Sequence, residues 1–221
     1  MRVVIAGAGS VGRSIALELL VSGHQVLLVD KSPAAMDLHA VPEADWLLAD
    51  ACEIASLGEA GLDTADVVVA ATGDDKANLV TSLLAKTEYG VPRTVARVNN
   101  PKNEWMFDEA WGVDVAVSTP RLMTSLVEEA VNIGDLVRIF TFQQGHANMV
   151  EFTLPDDSPL VGTTVGDVSW PADTVLVAII RQKRPIAPSP DDALEAHDEL
   201  LFISVPDADP KLRSLLAPGR F

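Results

Sequence analysis

Cysteine and long apolar runs are scarce in this sequence of 221 residues. The single cysteine, Cys52, excludes an internal disulfide and a cluster of thiolate metal ligands, and we interpret it as a filler residue. No apolar run approaches the ~20 residues that a membrane-spanning helix needs. The first residues also lack the layout of a signal peptide. We therefore expect a soluble protein of the cytoplasm.

Basic residues are half as frequent as acidic ones, 16 against 32, so the formal net charge is −16. This charge argues against nucleic acid as a partner. It would suit docking on basic surfaces, such as the Lys/Arg-rich cytoplasmic loops of a membrane protein. The alternative is that the acidic residues only keep the protein soluble.

Motifs for catalysis and metal binding are also absent from the sequence. HExxH, CxxC, GxSxG and the P-loop do not occur. The acidic pairs Asp156-Asp157 and Asp191-Asp192 stand near prolines and are interpreted as turn formers. The histidines fall in predicted turns or on a short amphipathic helix: His24, His39, His146 and His197. We therefore predict no catalytic residue and no metal ligand.

What the sequence does contain is a glycine motif near its start. Residues 2–6 predict a buried strand, and GAGSVG at 7–12 matches G-x-G-x-x-G before a predicted helix. Gly7 permits the tight turn, Gly9 lets a pyrophosphate approach the backbone, and Gly12 lets helix and sheet pack closely. The motif therefore predicts a nucleotide site. A Rossmann-like unit with an empty or vestigial site is the alternative.

Asp30 indicates which nucleotides fit. It ends the second predicted strand, where a carboxylate can accept hydrogen bonds from both ribose hydroxyls of an adenosine. A 2′-phosphate would meet the negative charge of Asp30. NAD(H) or an adenine nucleotide is therefore favoured over NADP(H).

Strand and helix patterns alternate over about 130 residues, which predicts an α/β fold with a doubly wound parallel Rossmann sheet of six strands in the order 3-2-1-4-5-6. The helices after the first include predicted ones at 34–39, 53–60, 76–89, 100–112 and 120–133. β-branched runs and prolines then predict a small α+β domain, with helices only at 161–168 and 209–216. We place the boundary so that residues 1–134 form the nucleotide-binding domain and 135–221 the second domain.

Two predicted strand ends would face the glycine loop across the sheet. Thr72-Gly73-Asp74 follows the fourth strand, and Arg97 lies at the end of the fifth. Arg97 could neutralise a phosphate or form a structural ion pair with Asp50 or Asp74. Ligands of such sheets bind at the carboxyl ends of the strands, where the strand order reverses.

These stretches resemble the RCK (KTN) nucleotide-binding domain. The resemblance lies in GAGSVG, the LLVD that ends at Asp30, Asp50-Ala51, the AATGDD segment at 70–75 with Asn78, and VARV at 95–98. The second domain resembles the RCK C-terminal module in SPLVG at 158–162, VAIIR at 177–181 and LEAHDELL at 194–201. The two modules in this order resemble the cytoplasmic regulatory subunits of Trk/Ktr-type potassium uptake systems.

The resemblance implies a regulatory role without enzymatic activity. Such subunits form homodimers that assemble into a tetrameric or octameric ring beneath a potassium-translocating membrane subunit, at the inner face of the cell membrane. Nucleotide binding changes the shape of the ring and gates the pore. Helix 120–133, which has a double apolar stripe, would be the crossover that joins the domains and packs on a partner subunit.

The resemblance also implies which residues bind the nucleotide. Residues 7–11 would hold phosphate, Asp30 would hold the ribose, Asp50-Ala51 would lie by the adenosine, and Gly73-Asp74 and Arg97 would close the far side of the site. The residues implied are Gly7, Ala8, Gly9, Ser10, Val11, Gly12, Asp30, Lys31, Asp50, Ala51, Thr72, Gly73, Asp74, Asn78 and Arg97.

Some positions depart from the family pattern. Some Ktr-type members carry an arginine in the glycine loop that reaches the terminal phosphates of ATP, where this chain has Ser10 and Val11. This favours NAD(H), with ADP and ATP as alternatives. His197 stands where glycine commonly precedes Asp198. Two other functions remain open: a small NAD-dependent oxidoreductase, and an RCK module that regulates a different transporter.

Overall fold

Short apolar segments within Met1–Pro120 form one parallel sheet in the computed structural model, which describes residues 1–131, 135–142 and 147–217. Its strands are β1 (Arg2–Ala6), β2 (Gln25–Asp30), β3 (Asp45–Leu48), β4 (Val67–Ala70), β5 (Arg93–Val98) and β6 (Val115–Ser118). Their order is β3-β2-β1-β4-β5-β6, and all neighbours are parallel. The predicted doubly wound sheet is confirmed, and its order reverses between β1 and β4.

The central strands are apolar on both sides because helices cover both faces of the sheet. Val3 and Ile5 of β1 belong to one buried cluster, whereas Val4 and Ala6 belong to another. Successive side chains of a strand point to opposite faces, so a strand covered on both faces is apolar throughout. The connecting helices are α1 (Ser10–Val21), α2 (Ile54–Glu59) and α3 (Asp75–Thr87).

The helix predicted at 100–112 is wrong, because two 3-10 turns, Pro101–Met106 and Glu109–Trp111, take its place. Phe107 lies between the turns and is buried in a cluster with β5 residues. The Asp108 side chain then accepts hydrogen bonds from Ala110 N and Trp111 N of the second turn. Burial of Phe107 and the cap at Asp108 divide the segment.

At the positions of two other predicted helices, the structure has only single 3-10 turns. The prediction at 34–39 corresponds to a turn at Pro33–Ala35, and that at 161–168 to Val165–Asp167. In the second case Val165 N donates to Asp192 O at 2.9 Å, and Leu194 N donates to Thr163 O at 2.9 Å. Pairing with the chain around residue 193 competes with helix formation there.

The second unit, Arg121–Phe221, contains an antiparallel sheet of five strands in the order β10-β9-β11-β8-β7. The strands are β7 (Leu136–Phe142), β8 (Ala147–Thr153), β9 (Thr174–Arg181), β10 (Arg184–Ile186) and β11 (Glu199–Ser204). Helix α5 (Asp209–Leu216) packs Leu212 and Leu216 into its core. The predicted small α+β domain is confirmed.

Helix α4 (Thr119–Val131) begins where the first unit ends, and positions 132–133 of the predicted helix lie outside the described residues. The domain boundary at 134/135 stays a prediction, because residues 132–134 are not described. The predicted turn that contains His146 also lies outside the described residues. Within the described ranges, no helix has both the length and the apolar character needed to cross a bilayer.

Candidate nucleotide-binding site

The glycines of the loop between β1 and α1 are required for different reasons. Gly7 has a φ of 105°, and a Cβ there would lie 2.8 Å from Thr72 N. A Cβ on Gly12 would lie 1.8 Å from Gly7 O, so only glycine lets α1 pack on the loop. A Cβ on Gly9 would meet nothing within 4 Å. The fold thus requires Gly7 and Gly12, whereas Gly9 leaves an open approach to the backbone.

The N-terminus of α1 can receive an anion. Gly9 is its N-cap; in the part of the chain that the structure describes, no side chain caps this end and its first turn has no acid. At α3, by contrast, the Asp74 side chain accepts a hydrogen bond from Lys76 N at 2.9 Å. Free N–H groups and the helix dipole attract negative charge. A phosphate would therefore bind at α1 rather than at α3.

Asp30, at the end of β2, is hydrogen-bonded to both the glycine loop and the loop that follows β2. Its Oδ2 accepts a hydrogen bond from Ala8 N at 2.8 Å, and its Oδ1 accepts one from Ser32 N at 2.8 Å. Each carboxylate oxygen has a further lone pair that can accept a ribose hydroxyl. Asp30 can therefore both shape the loop and bind the ligand.

Asp50 follows β3 beside Lys31 and Cys52. A hydrogen bond from Cys52 N, at 2.9 Å, lowers the pKa of the Asp50 carboxyl, and Lys31 at 3.5 Å adds to this effect. Burial, followed by the negative charge of Asp50, raises the pKa of the Cys52 thiol. Asp50 is thus held as a carboxylate, and Cys52 as a thiol.

On the far side, Asn78 organises the loop after β4. Its Oδ1 accepts hydrogen bonds from Thr72 N and Thr72 Oγ1, at 2.9 and 2.6 Å, and its Nδ2 donates to Arg97 O at 2.8 Å. Asn78 is fully buried in helix α3. It joins the ends of β4 and β5 beneath the loop and does not line the cavity described below.

One nitrogen of the Arg97 guanidinium, Nε, is buried without a hydrogen-bond partner among the described residues, 1–131, 135–142 and 147–217. A buried donor without a partner is destabilising by about 1–3 kcal/mol. An acceptor supplied by a ligand would satisfy it.

These strand ends enclose a cavity of about 490 Å³. Its walls include all the predicted site residues except Ala8, Gly12 and Asn78, which are buried in the fold. The open space at Gly9, the free end of α1 and the unpaired Nε of Arg97 fit a ligand with phosphate groups. The cavity lies where the strand order reverses, as expected for this fold.

Sequence reasoning missed several residues of the wall. They are Val29, Ser32, Ala49, Cys52, Ala71, Ala77 and Thr81. Ala77 and Thr81 stand four apart on α3, so the helical period from the predicted helix start could have identified them. Cys52 was interpreted as a filler residue, although its place after a predicted strand could have put it near a bound adenosine.

Several charged side chains of the second unit form ion pairs with one another. Arg181 binds Asp198 at 2.7 Å and Glu195 at 2.5 Å, and the hydrogen bond to Asp198 raises the pKa of Arg181. His197 has a φ of 66°, the left-handed conformation in which glycine is favoured, and its Nε2 lies 3.1 Å from Asp156 Oδ1. Among the described residues, no group of three or more His, Cys, Asp or Glu side chains could hold a metal ion.

Both halves of the chain match known family models, and the chain also aligns with relatives over nearly their whole length. The TrkA-N domain model matches residues 3–119, and the TrkA-C domain model matches residues 149–217. The chain is 56% identical over 219 residues to the Trk system potassium uptake protein TrkA of Mycobacterium tuberculosis, covering 99% of this chain and 100% of that protein. It is 34% identical over 210 residues to a TrkA homolog of Methanothermobacter thermautotrophicus, covering 94% and 95% of the two chains.

A solved structure described as the GsuK channel bound to NAD has the same fold. Its TM-score is 0.69 at 16% identity, covering 99% of this chain but only 40% of that chain. The parallel sheet with its cavity, followed by the antiparallel unit, defines a protein of the class that the TrkA-N and TrkA-C models describe. The matched domains and full-length relatives establish the family: the chain belongs to the TrkA family.

Proposed function

We propose that this chain is the cytoplasmic regulatory subunit of a potassium uptake system. It binds a nucleotide in the cavity at the ends of β1, β2, β3, β4 and β5 and gates the membrane-embedded subunit that translocates potassium. The observation that carries the proposal is that an open Gly9, Asp30 and Arg97 line one cavity, and that the buried Nε of Arg97 is unpaired among the described residues. The potassium uptake role named for the 56%-identical relative supports it.

The charges of the cavity favour NAD(H) over ATP. Its charged residues are Asp30, Asp50, Asp74, Lys31 and Arg97, so acids exceed bases. Lys31 is paired with Asp50, which leaves Arg97 as the base that can neutralise phosphate. ATP carries more negative charge than NAD or NADH, and its accommodation in such a cavity is less favourable. ADP and ATP remain alternatives for the effector.

The chain acts through assembly rather than catalysis in this proposal. Homodimers of this chain, with its domains 1–134 and 135–221, form a tetrameric or octameric ring whose shape changes on nucleotide binding. Met123, Leu126 and Val127 of α4 are exposed in the single chain, which supports a partner subunit there. The excess of acidic residues supports docking on basic cytoplasmic loops at the inner face of the membrane.

A flux measurement tests this function. The chain is reconstituted with the membrane subunit of its own uptake system in vesicles, and potassium influx is measured with NAD, NADH, ADP or ATP. We expect at least one nucleotide to change the influx, and the change to vanish with the Gly9→Asp variant. Nucleotide-independent influx, or turnover of NAD(H) with an alcohol or carbonyl substrate, would overturn the proposal.

A further inference from the structure

Asp75, the first residue of α3, is a buried carboxylate that lies next to the wall of the cavity. It is 6% exposed, and it directly follows Asp74, which lines the cavity. Its Oδ1 accepts hydrogen bonds from Asn99 N at 2.6 Å and Asn99 Nδ2 at 3.0 Å. Its Oδ2 accepts from Asn100 N at 3.0 Å and Asn103 Nδ2 at 2.8 Å.

These bonds connect the cavity with a surface segment that does not line it. Asn99 Nδ2 also donates to Thr72 O at 3.0 Å, and Thr72 lines the cavity. At the other end, Asn103 belongs to the turn Pro101–Met106, whose Trp105 is 77% exposed. One carboxylate therefore holds the loop after β4 and the turn after β5 together.

The strength of these bonds makes the connection rigid. Hydrogen bonds to a charged group are stronger than those between neutral groups, and a buried partner left unpaired is destabilising. A displacement of residues 72–74 by a ligand would therefore move residues 99–103 with it rather than break the bonds. Packed hydrogen-bond networks with discrete arrangements can carry coupling between sites.

We propose that Asp75 is a positioning residue that couples occupancy of the cavity to the position of the surface turn Pro101–Met106. The proposal rests on the nucleotide binding proposed above. It assigns Asp75 two effects: it fixes the geometry of the far wall, where Thr72 and Arg97 lie, and it transmits changes of that wall to the turn that carries Trp105.

Asp114 provides a matched control at the opposite end of β5. Its Oδ2 accepts a hydrogen bond from Thr94 N at 2.6 Å and pairs with Lys86 at 2.7 Å. Like Asp75, which binds backbone amides just after β5, it binds a backbone amide at one end of this strand, but it does not line or adjoin the cavity. A merely structural effect of losing such a carboxylate should therefore appear equally in the Asp114→Asn variant.

The test titrates NAD and ADP into the wild type, Asp75→Asn, Asp114→Asn and Asn103→Ala by calorimetry. The change in Trp105 emission on binding is measured in parallel, as the signal that Trp105→Phe removes. We expect Asp75→Asn to weaken binding roughly tenfold, because the far wall is no longer held in the geometry that the ligand needs, and to lose the Trp105 signal. Asp114→Asn should bind as the wild type does and keep the signal.

The Asn103→Ala variant separates the effect on affinity from the effect on the Trp105 signal. It also tests the coupling if the Asp75→Asn variant does not fold. It removes the bond to the turn but leaves the Asn99 bonds, so it should keep the affinity and lose most of the Trp105 signal. If the wild type binds and either folded variant, Asp75→Asn or Asn103→Ala, keeps the full signal, the coupling through Asp75 is refuted while the nucleotide site stands. If the wild type binds neither NAD nor ADP, the proposed function fails and this inference fails with it.

Discussion

Gly9 and Gly12 belong to one motif, yet the structure separates a glycine needed by the ligand from one needed by the fold. Gly9 has a φ of −68°, which any residue can adopt, and a side chain there would have open space. Gly12 has no such space because Gly7 O lies where its Cβ would be. The motif alone predicts all its glycines but does not tell these roles apart.

Gly12→Ala should therefore destabilise the protein, whereas Gly9→Ala should not. Overpacking of a close contact costs typically 1–3 kcal/mol, which lowers the midpoint of unfolding by several degrees. Thermal unfolding followed by circular dichroism measures both variants against the wild type. Equal midpoints for Gly12→Ala and Gly9→Ala would contradict the assigned close approach of α1 to the loop.

At the scale of elements, the sequence predicted the parallel sheet well because the strands are short apolar runs between glycines and acids. Predictions of local secondary structure were wrong where tertiary packing determined the conformation of the chain. Burial of Phe107 divides the predicted helix at 100–112. The hairpin between β9 and β10 has positive φ at Gln182 and Lys183, where no Asn-Gly signal marks the turn.

Predicted site residues at strand ends line the cavity, whereas the one predicted inside helix α3 does not. Gly7, Asp30, Asp50, Gly73 and Arg97 were predicted from strand ends or from the family resemblance, and the structure brings them to one cavity. Asn78 was grouped with them because its motif lies next to Thr72. Only the fold shows that its side chain is buried and accepts a hydrogen bond from Thr72 N.

The carboxylates at the two ends of β5 predict how stability depends on pH. Burial acts to raise the pKa of both Asp75 and Asp114, but hydrogen bonds outweigh it and the pKa of each is lowered: Asn99, Asn103 and Asn100 donate to Asp75, and Lys86 and Thr94 donate to Asp114. A group whose pKa is lower in the folded state stabilises the fold above its unfolded pKa. This stabilisation is lost as the pH falls through the folded pKa.

We therefore expect the urea midpoint to be constant near neutral pH and to fall as the pH drops below ~4. Asp75→Asn and Asp114→Asn should each be less stable than the wild type at neutral pH and show a smaller loss in acid. Asp45→Asn, at the exposed start of β3, is the control and should follow the wild-type curve. An unchanged acid dependence in both β5 variants would show that these carboxyl groups do not titrate as assigned.

At the scale of the whole molecule, assembly is expected to depend on helix α4. Its Leu126 is 54% exposed in the single chain, and Met123 and Val127 lie beside it. An exposed apolar stripe of this kind marks an interaction surface. A charge within it would be desolvated on assembly and would oppose the contact.

Leu126→Asp should therefore lower the solution mass from that of the ring or dimer towards that of one chain. Light scattering after size exclusion measures the mass. Thr124→Asp adds the same charge to an exposed neighbouring position of α4 and should leave the mass unchanged. If Leu126→Asp assembles as the wild type does, α4 is not the surface that joins subunits.

The central claim is that the cavity binds a nucleotide, and calorimetric titration of NADH into the wild type and Gly9→Asp tests it most directly. An aspartate at the N-cap of α1 should stabilise that helix while placing a carboxylate where the phosphate would bind. The account predicts saturable binding to the wild type and none to a Gly9→Asp variant whose unfolding midpoint is undiminished. Equal binding of NADH to both proteins would contradict it, because the ligand would then lie somewhere other than the glycine loop.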